Sequence, residues 1–157
     1  MNQTGTVALT PRLRLALHDA AGRVRSSAAL LAAGEADVWA GLQPDRPEGW
    51  LDAAVWHRNG ALVGGIWLVD DELSYFVEPR WRGQDIGSEA VAAFCRHAVT
   101  TLRMPGLRAR VGRENTPSRR LVERCGFAFA GLLPPDRSHR GTWLLYRLHG
   151  ETTLCCD

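Results

Sequence analysis

The most constraining feature of the chain is residues 72–102, ELSYFVEPRWRGQDIGSEAVAAFCRHAVTTL, where a strand pattern gives way to a basic, glycine-bearing turn and then to a helix pattern. Residues 72–77 alternate polar and apolar side chains and are rich in Tyr, Phe and Val, so they read as a strand ending at Glu78-Pro79. From Val91 onward the apolar positions fall at Val91, Phe94, Cys95, Ala98 and Leu102, the spacing of a helix with one buried face. Between them lies Arg80-Trp81-Arg82-Gly83-Gln84-Asp85-Ile86-Gly87-Ser88. Its glycines permit close backbone approach, its guanidiniums suit phosphate oxygens, and N–H groups at a helix start attract anions. The turn has the chemistry of a seat for a phosphorylated cofactor.

The remaining pattern supplies a sheet around this unit. Residues 1–11 are polar and expected to fray, and residues 12–17 alternate as a first strand. Residues 19–33 read as an Ala- and Leu-rich helix between an Asp19 cap and a Gly34 stop. Residues 35–51 carry Trp39, Trp50, Pro44 and Pro47, with Gly41 and Gly49 breaking any long helix. Two strands over 53–58 and 61–69 flank Asn59-Gly60, a hairpin signal, and Asp70-Asp71 turns the second into residues 72–77. The first four strands therefore form an antiparallel meander. Residues 107–111 form a short strand, and Asn115 caps a helix with Pro117 in its first turn. Leu121, Val122 and Cys125 bury that helix, Gly126 ends it, and strands over 127–132 and 142–148 close the chain around a polar connection. Residues 1–150 read as one domain, with 151–157 a short tail.

Charge narrows the function classes. All 19 basic residues are arginine, yet the formal net charge is only +2, too small to imply nucleic-acid binding. Charge is uneven: residues 96–124 hold eight arginines against Glu114 and Glu123, whereas residues 35–52 hold Glu35, Asp37, Asp45, Glu48 and Asp52 against Arg46. Both runs are either solvated surface or a pair of faces, one for an anionic cofactor and one for a cationic substrate. The four cysteines and five histidines show no metal-site spacing, so no metal is expected. No secretory signal, lipidation motif or bilayer-length apolar run occurs, which predicts a cytoplasmic protein without a membrane partner.

Arg82-Gly83-Gln84-Asp85-Ile86-Gly87 resembles the Arg/Gln-x-x-Gly-x-Gly/Ala signature of the GNAT superfamily of acyl-CoA-dependent N-acyltransferases. Ser88-Glu89-Ala90 and the Pro-Arg-Leu-Arg-Leu opening resemble its Rim-type branch, and Asn115-x-x-Ser118 with Gly126-Phe127 is similar to a second family block. The resemblance implies an α+β fold: a mostly antiparallel twisted sheet of about six or seven strands, splayed at the cofactor site and flanked by about four helices. It also implies acetyl transfer from acetyl-CoA to a primary amine in a ternary complex, with a homodimer as one common assembly. A catalytically silent acyl-CoA-binding domain is the alternative.

By the same resemblance, the backbone of Phe76 and Val77 holds the pantetheine arm, residues 82–88 hold the phosphates, and Asn115 and Ser118 lie near the sulfur. Ser118 would hydrogen-bond the leaving thiolate, and Trp39 and Trp50 would wall the acceptor site. Asp85 departs from the family, which usually has glycine there. Its carboxylate either N-caps the helix or lies near the pyrophosphate, offset by Arg80 and Arg82. The tyrosine acid of many relatives is also absent, Val122 standing at that position. Tyr75 and Tyr146 are the candidate substitutes, and Glu72, on the same strand face as Ser74 and Phe76, is the candidate base.

Overall fold

The computed structural model describes residues 5–17, 50–135 and 141–150. They form an eight-stranded sheet in the order β1-β2-β3-β4-β5-β6-β8-β7. The strands are β1 (Thr6–Leu9), β2 (Leu13–Leu17), β3 (Trp50–His57), β4 (Leu62–Val69), β5 (Glu72–Val77), β6 (Gly106–Gly112), β7 (Ala128–Leu133) and β8 (Trp143–His149). Two α-helices occur among the described residues, α1 (Ile86–Thr100) and α2 (Thr116–Arg124), with a single 3-10 turn at Pro79–Trp81 before α1.

The expected meander is present, since β2 to β5 pair antiparallel in sequence order. Asn59-Gly60 turns the β3–β4 hairpin with Gly60 at φ 91°, a left-handed value that glycine adopts without strain. The count differs from the expected six or seven strands and four helices. The extra strand is β1: Thr6, Ala8 and Leu9 pair with Ala16, Leu15 and Arg14 instead of fraying. Val7 and Ala8 pack against the core, and that burial offsets the entropy of ordering a terminal segment. The helix expected over residues 19–33 and most of 35–51 lie outside the described residues. Trp50, expected in a loop, instead opens β3 opposite Val69.

One face of the sheet carries the core. Leu13, Leu15, Val55, Ile66 and Leu73 meet Val91, Phe94, Cys95 and Ala98 of α1, all nearly inaccessible to solvent. Leu102 does not join them, because α1 ends at Thr100 and leaves it exposed. Leu107, Ala109 and Val111 of β6, with Leu144, Tyr146 and Leu148 of β8, bury Val122 and Cys125 beside α2. The Tyr146 hydroxyl donates to Glu123 at 2.9 Å, so this candidate acid ties β8 to α2.

The sheet changes character between β5 and β6. β4 and β5 pair over their whole length, from Val69↔Glu72 to Gly64↔Val77. The parallel β5–β6 ladder holds only at Glu72↔Arg108, with Arg108 N–H donating to Asp71 O at 2.8 Å. Beyond that point the two strands diverge. The splay leaves backbone groups of β5 without a strand partner, in the middle of an otherwise continuous sheet.

Candidate active site

Strand phase decides which groups face the gap. Glu78 N–H donates to Val63 O at 2.8 Å, so alternation turns the Phe76 amide and carbonyl toward β4 as well. Tyr75 and Val77 therefore present their backbone groups to the β6 side, as Asp71 does through its bond to Arg108. Of the two residues assigned to the backbone seat, Val77 lies on this edge with Tyr75, whereas Phe76 turns its backbone groups to β4. Phe76 is buried, with the Arg82 guanidinium 5.5 Å from its ring centre. Beside it, a Cβ at Gly64 would lie 2.1 Å from Phe76 O, so only glycine lets β4 approach here.

The turn that follows is shaped by two left-handed residues, Gly83 at φ 74° and Asp85 at φ 58°. Asp is among the few side chains that tolerate this region, which accounts for Asp at a family glycine position. The N–H groups of Ile86, Gly87 and Ser88 in the first turn of α1 have no intrahelical acceptor and carry the positive end of the helix dipole. Gly87 is needed for packing: a Cβ there would sit 2.8 Å from a Leu121 methyl and 3.2 Å from a Val77 methyl. Ile86 anchors the helix start in the core. This donor set and the open space beside Gly83 fit the pyrophosphate of a CoA.

Asp85 precedes α1 but makes no side-chain cap, contrary to one expectation. Its carboxylate instead accepts from Arg124 Nη1 at 2.8 Å, while Arg124 Nη2 donates to Ser88 Oγ at 2.9 Å. The offsetting charge is thus Arg124, at the end of α2, rather than Arg80 or Arg82. Arg80 pairs with Glu78 at 2.6 Å, and Arg82 Nε donates to Val77 O at 2.8 Å. Gln84 Nε2 donates to Arg80 O at 3.0 Å, folding the turn on itself. Trp81, in the 3-10 turn, lies with its ring centre 4.8 Å from that of His57.

A second brace comes from the β1–β2 turn. Arg12 pairs with Glu89 of α1 at 2.6 Å and donates to Gln84 O at 2.9 Å, and the Thr10 hydroxyl also donates to Glu89. Burial pulls the Glu89 carboxyl upward, but the Thr10 hydroxyl and Arg12 outweigh it and hold it below the usual range. Sequence reading assigned no site role to Thr10, Arg12 or Arg124. The only local trace was Arg124 at the end of the arginine-rich run.

Asn115 and Ser118 are brought together at the start of α2, where Asn115 Oδ1 accepts from Ser118 N–H at 3.2 Å. Asn115 is thereby the helix cap. Ser118 Oγ lies 2.5 Å from the Tyr75 hydroxyl, joining α2 to β5 across the gap. Burial raises the Tyr75 hydroxyl above its ordinary value, with the Ser118 bond opposing and Cys125 reinforcing the shift. Glu72 stands at the closed end of the gap, about 17 Å along the strand from Val77. As a candidate base it is already engaged, with Arg110 Nε 2.7 Å and Arg108 Nε 3.8 Å from its oxygens. Trp39 lies outside the described residues, and Trp50 is placed as the first residue of β3. Among the described residues no cluster of His, Cys, Asp or Glu could hold a metal ion.

Known proteins share this fold. The acetyltransferase (GNAT) domain family matches residues 14–128. Alpha/beta-tubulin-N-acetyltransferase 9 of Homo sapiens is 40% identical over a stretch covering 49% of this chain and 44% of that protein. The chain thus matches less than half the length of that relative. Mycobacterium smegmatis RimJ, solved with CoA-disulfide, superposes with a TM-score of 0.74 at 20% identity, over 88% of this chain and 82% of its own. Spermidine N-acetyltransferase from Vibrio cholerae, solved with CoA and spermine, superposes with a TM-score of 0.76 at 14% identity, over 90% of this chain and 97% of its own. With its splayed β5–β6 pair, its open α1 start and a family match over most of its length, the chain belongs to the GNAT acetyltransferase family.

Proposed function

We infer that the protein is an N-acetyltransferase that moves the acetyl group of acetyl-CoA directly to a primary amine, of a small molecule or a protein N-terminus, within a ternary complex. The observation that carries this reading is the opening of the β5–β6 ladder immediately before an uncapped helix start. Acetyl-CoA supplies the activated thioester. The chain supplies orientation: amides of the α1 turn receive phosphate oxygens, and the β5 edge at Tyr75 and Val77 receives the amide-bearing arm. A Val77 N–H aimed into the gap suits a thioester carbonyl as negative charge builds on its oxygen. Ser118 would hydrogen-bond the departing sulfur, while Glu72, paired with Arg108 and Arg110 at the closed end of the gap, leaves the ammonium proton to solvent water.

The silent-domain alternative drew on Asp85, whose charge would repel pyrophosphate. That ground weakens because Arg124 pairs with the carboxylate and draws it to α2. The relatives' names point to two acceptor classes, polyamines and protein substrates, and the acidic residues 35–52 suit a cationic acceptor. Exposed Phe129 and Leu132 on the edge strand β7 suit contact with a second copy, to be checked by sedimentation. Calorimetry with acetyl-CoA tests the cofactor reading, with micromolar-range binding expected. Thiol release on addition of spermidine or N-terminal peptides then tests transfer. No binding by the protein or by Asp85→Gly would overturn the reading.

A further inference from the structure

The face of the sheet turned away from α1 carries an inference that rests on the acyltransferase reading and narrows its acceptor. Alternation sends Leu107, Ala109 and Val111 of β6 and Leu144, Tyr146 and Leu148 of β8 into the core, so Arg108, Arg110 and Arg147 emerge together on the other face. Arg108 and Arg147 are direct cross-strand partners, a position in which like charges are destabilising. Two carboxylates answer part of this charge: Glu72 lies 2.7 Å from Arg110 Nε and 3.8 Å from Arg108 Nε, and Asp71 lies 2.8 Å from Arg108 Nε. Arg147 is the remainder. It is exposed, has Ala128 as its neighbour on β7, and pairs with no acid among the described residues.

The cluster lies at the closed end of the β5–β6 gap, where Glu72↔Arg108 is the paired position from which the strands diverge. The α1 side of the gap is crossed by the Tyr75–Ser118 contact, so an acceptor approaches from the face that bears the arginines. A polyamine would bring further ammonium groups to an excess of positive charge, whereas a carboxylate would take the place of the repulsion between Arg108 and Arg147. Distance separates two sources of that carboxylate. Strands lie about 4.8 Å apart, so Arg147 is roughly 10 Å from β5 along the Glu72, Arg108, Arg147 row. A free amino acid bears its carboxylate on the same carbon as its amine, too close to span that distance. An extended peptide advances about 3.3 Å per residue, so side chains at its second and third positions reach it. We propose that Arg147, with Arg108, is a specificity-determining site for acidic side chains at the second and third positions of an acceptor peptide N-terminus.

The test compares the peptides Ser-Glu-Glu-Gly, Ser-Gln-Gln-Gly and Ser-Lys-Lys-Gly with free serine and spermidine, by thiol release from acetyl-CoA and by calorimetric binding to the CoA-loaded protein. The glutamate peptide should show a KM about five-fold below that of the glutamine peptide at similar kcat, with the lysine peptide weaker still, and the spread should narrow as salt rises. Calorimetry should give the same order. Arg147→Ala should erase the difference between the glutamate and glutamine peptides while moving the KM of the glutamine peptide less than about two-fold, and Arg147→Glu should reverse the order in favour of the lysine peptide. Equal KM values in the wild type, a preference for spermidine or serine, or an order unchanged by Arg147→Glu overturns the inference and leaves the acyltransferase reading standing. A loss that is the same for all three peptides in Arg147→Ala marks a structural role and also overturns it. No binding of CoA, or no thiol release with any of these amines, overturns the acyltransferase reading and this inference with it.

Discussion

Two helices begin at the same site and begin differently. α2 is closed by its own sequence: Asn115 accepts from Ser118 N–H, and Pro117 needs no partner for an N–H it lacks. α1 has no side-chain cap, and the residue before it is left-handed, with its carboxylate bonded to another helix. The side chains of that open first turn are braced from outside, Arg12 and Thr10 donating to Glu89 and Arg124 to Ser88, while its backbone N–H groups are left to other acceptors. The closed start serves the fold, and the open start is the one that the proposed function assigns to a ligand.

The contrast is broken most severely at Gly87. Gly87→Val would drive a side chain into Leu121 and Val77, and we expect acetyl-CoA affinity to fall by more than about a hundred-fold, with about 1–3 kcal/mol of stability lost. Calorimetry and urea unfolding measure both. Arg124→Ala frees the Asp85 carboxylate, so affinity should drop about ten-fold and recover in the double variant with Asp85→Gly. Recovery that fails would mean Arg124 contacts the ligand itself. Asn115→Ala removes the α2 cap, for which about 1 kcal/mol of stability should be lost while affinity changes less than about three-fold. A large affinity loss there would erase the distinction between the two helix starts.

The smallest effect concerns the Glu89 brace. Its carboxyl is held below the ordinary 4.5, so its contribution is full above that pH and is lost as pH falls through the lower folded value. Acid unfolding of Arg12→Ala should therefore show a shallower loss of stability below that pH than the wild type. Parallel acid unfolding curves would show that Arg12 does not stabilise the ionised form.

Whatever depends on near neighbours was legible in the sequence. The Asn59-Gly60 hairpin and the Asn115 cap each lie within a few residues, and the strand-turn-helix unit is one continuous stretch of chain. Asp85 was legible as an anomaly, but its partner stands 39 residues away on another helix, and only the packing of α1 on α2 joins them. Alternation showed which side chains of β5 share a face, yet not which backbone groups lie open. That needs the neighbour order, with β4 on one side and a diverging β6 on the other. β1 was missed for a similar reason: Thr6–Leu9 gains its burial only once β2 and α1 are in place.

The indole of Trp81 sits in the turn between β5 and α1, stacked near the His57 imidazole of another strand. Fluorescence of that indole depends on how closely the imidazole approaches. Any rearrangement of the turn on anion binding would change the contact, so the loop carries an intrinsic optical signal. With Trp81→Phe as the blank, emission could follow occupancy in real time without a coupled assay or a labelled ligand.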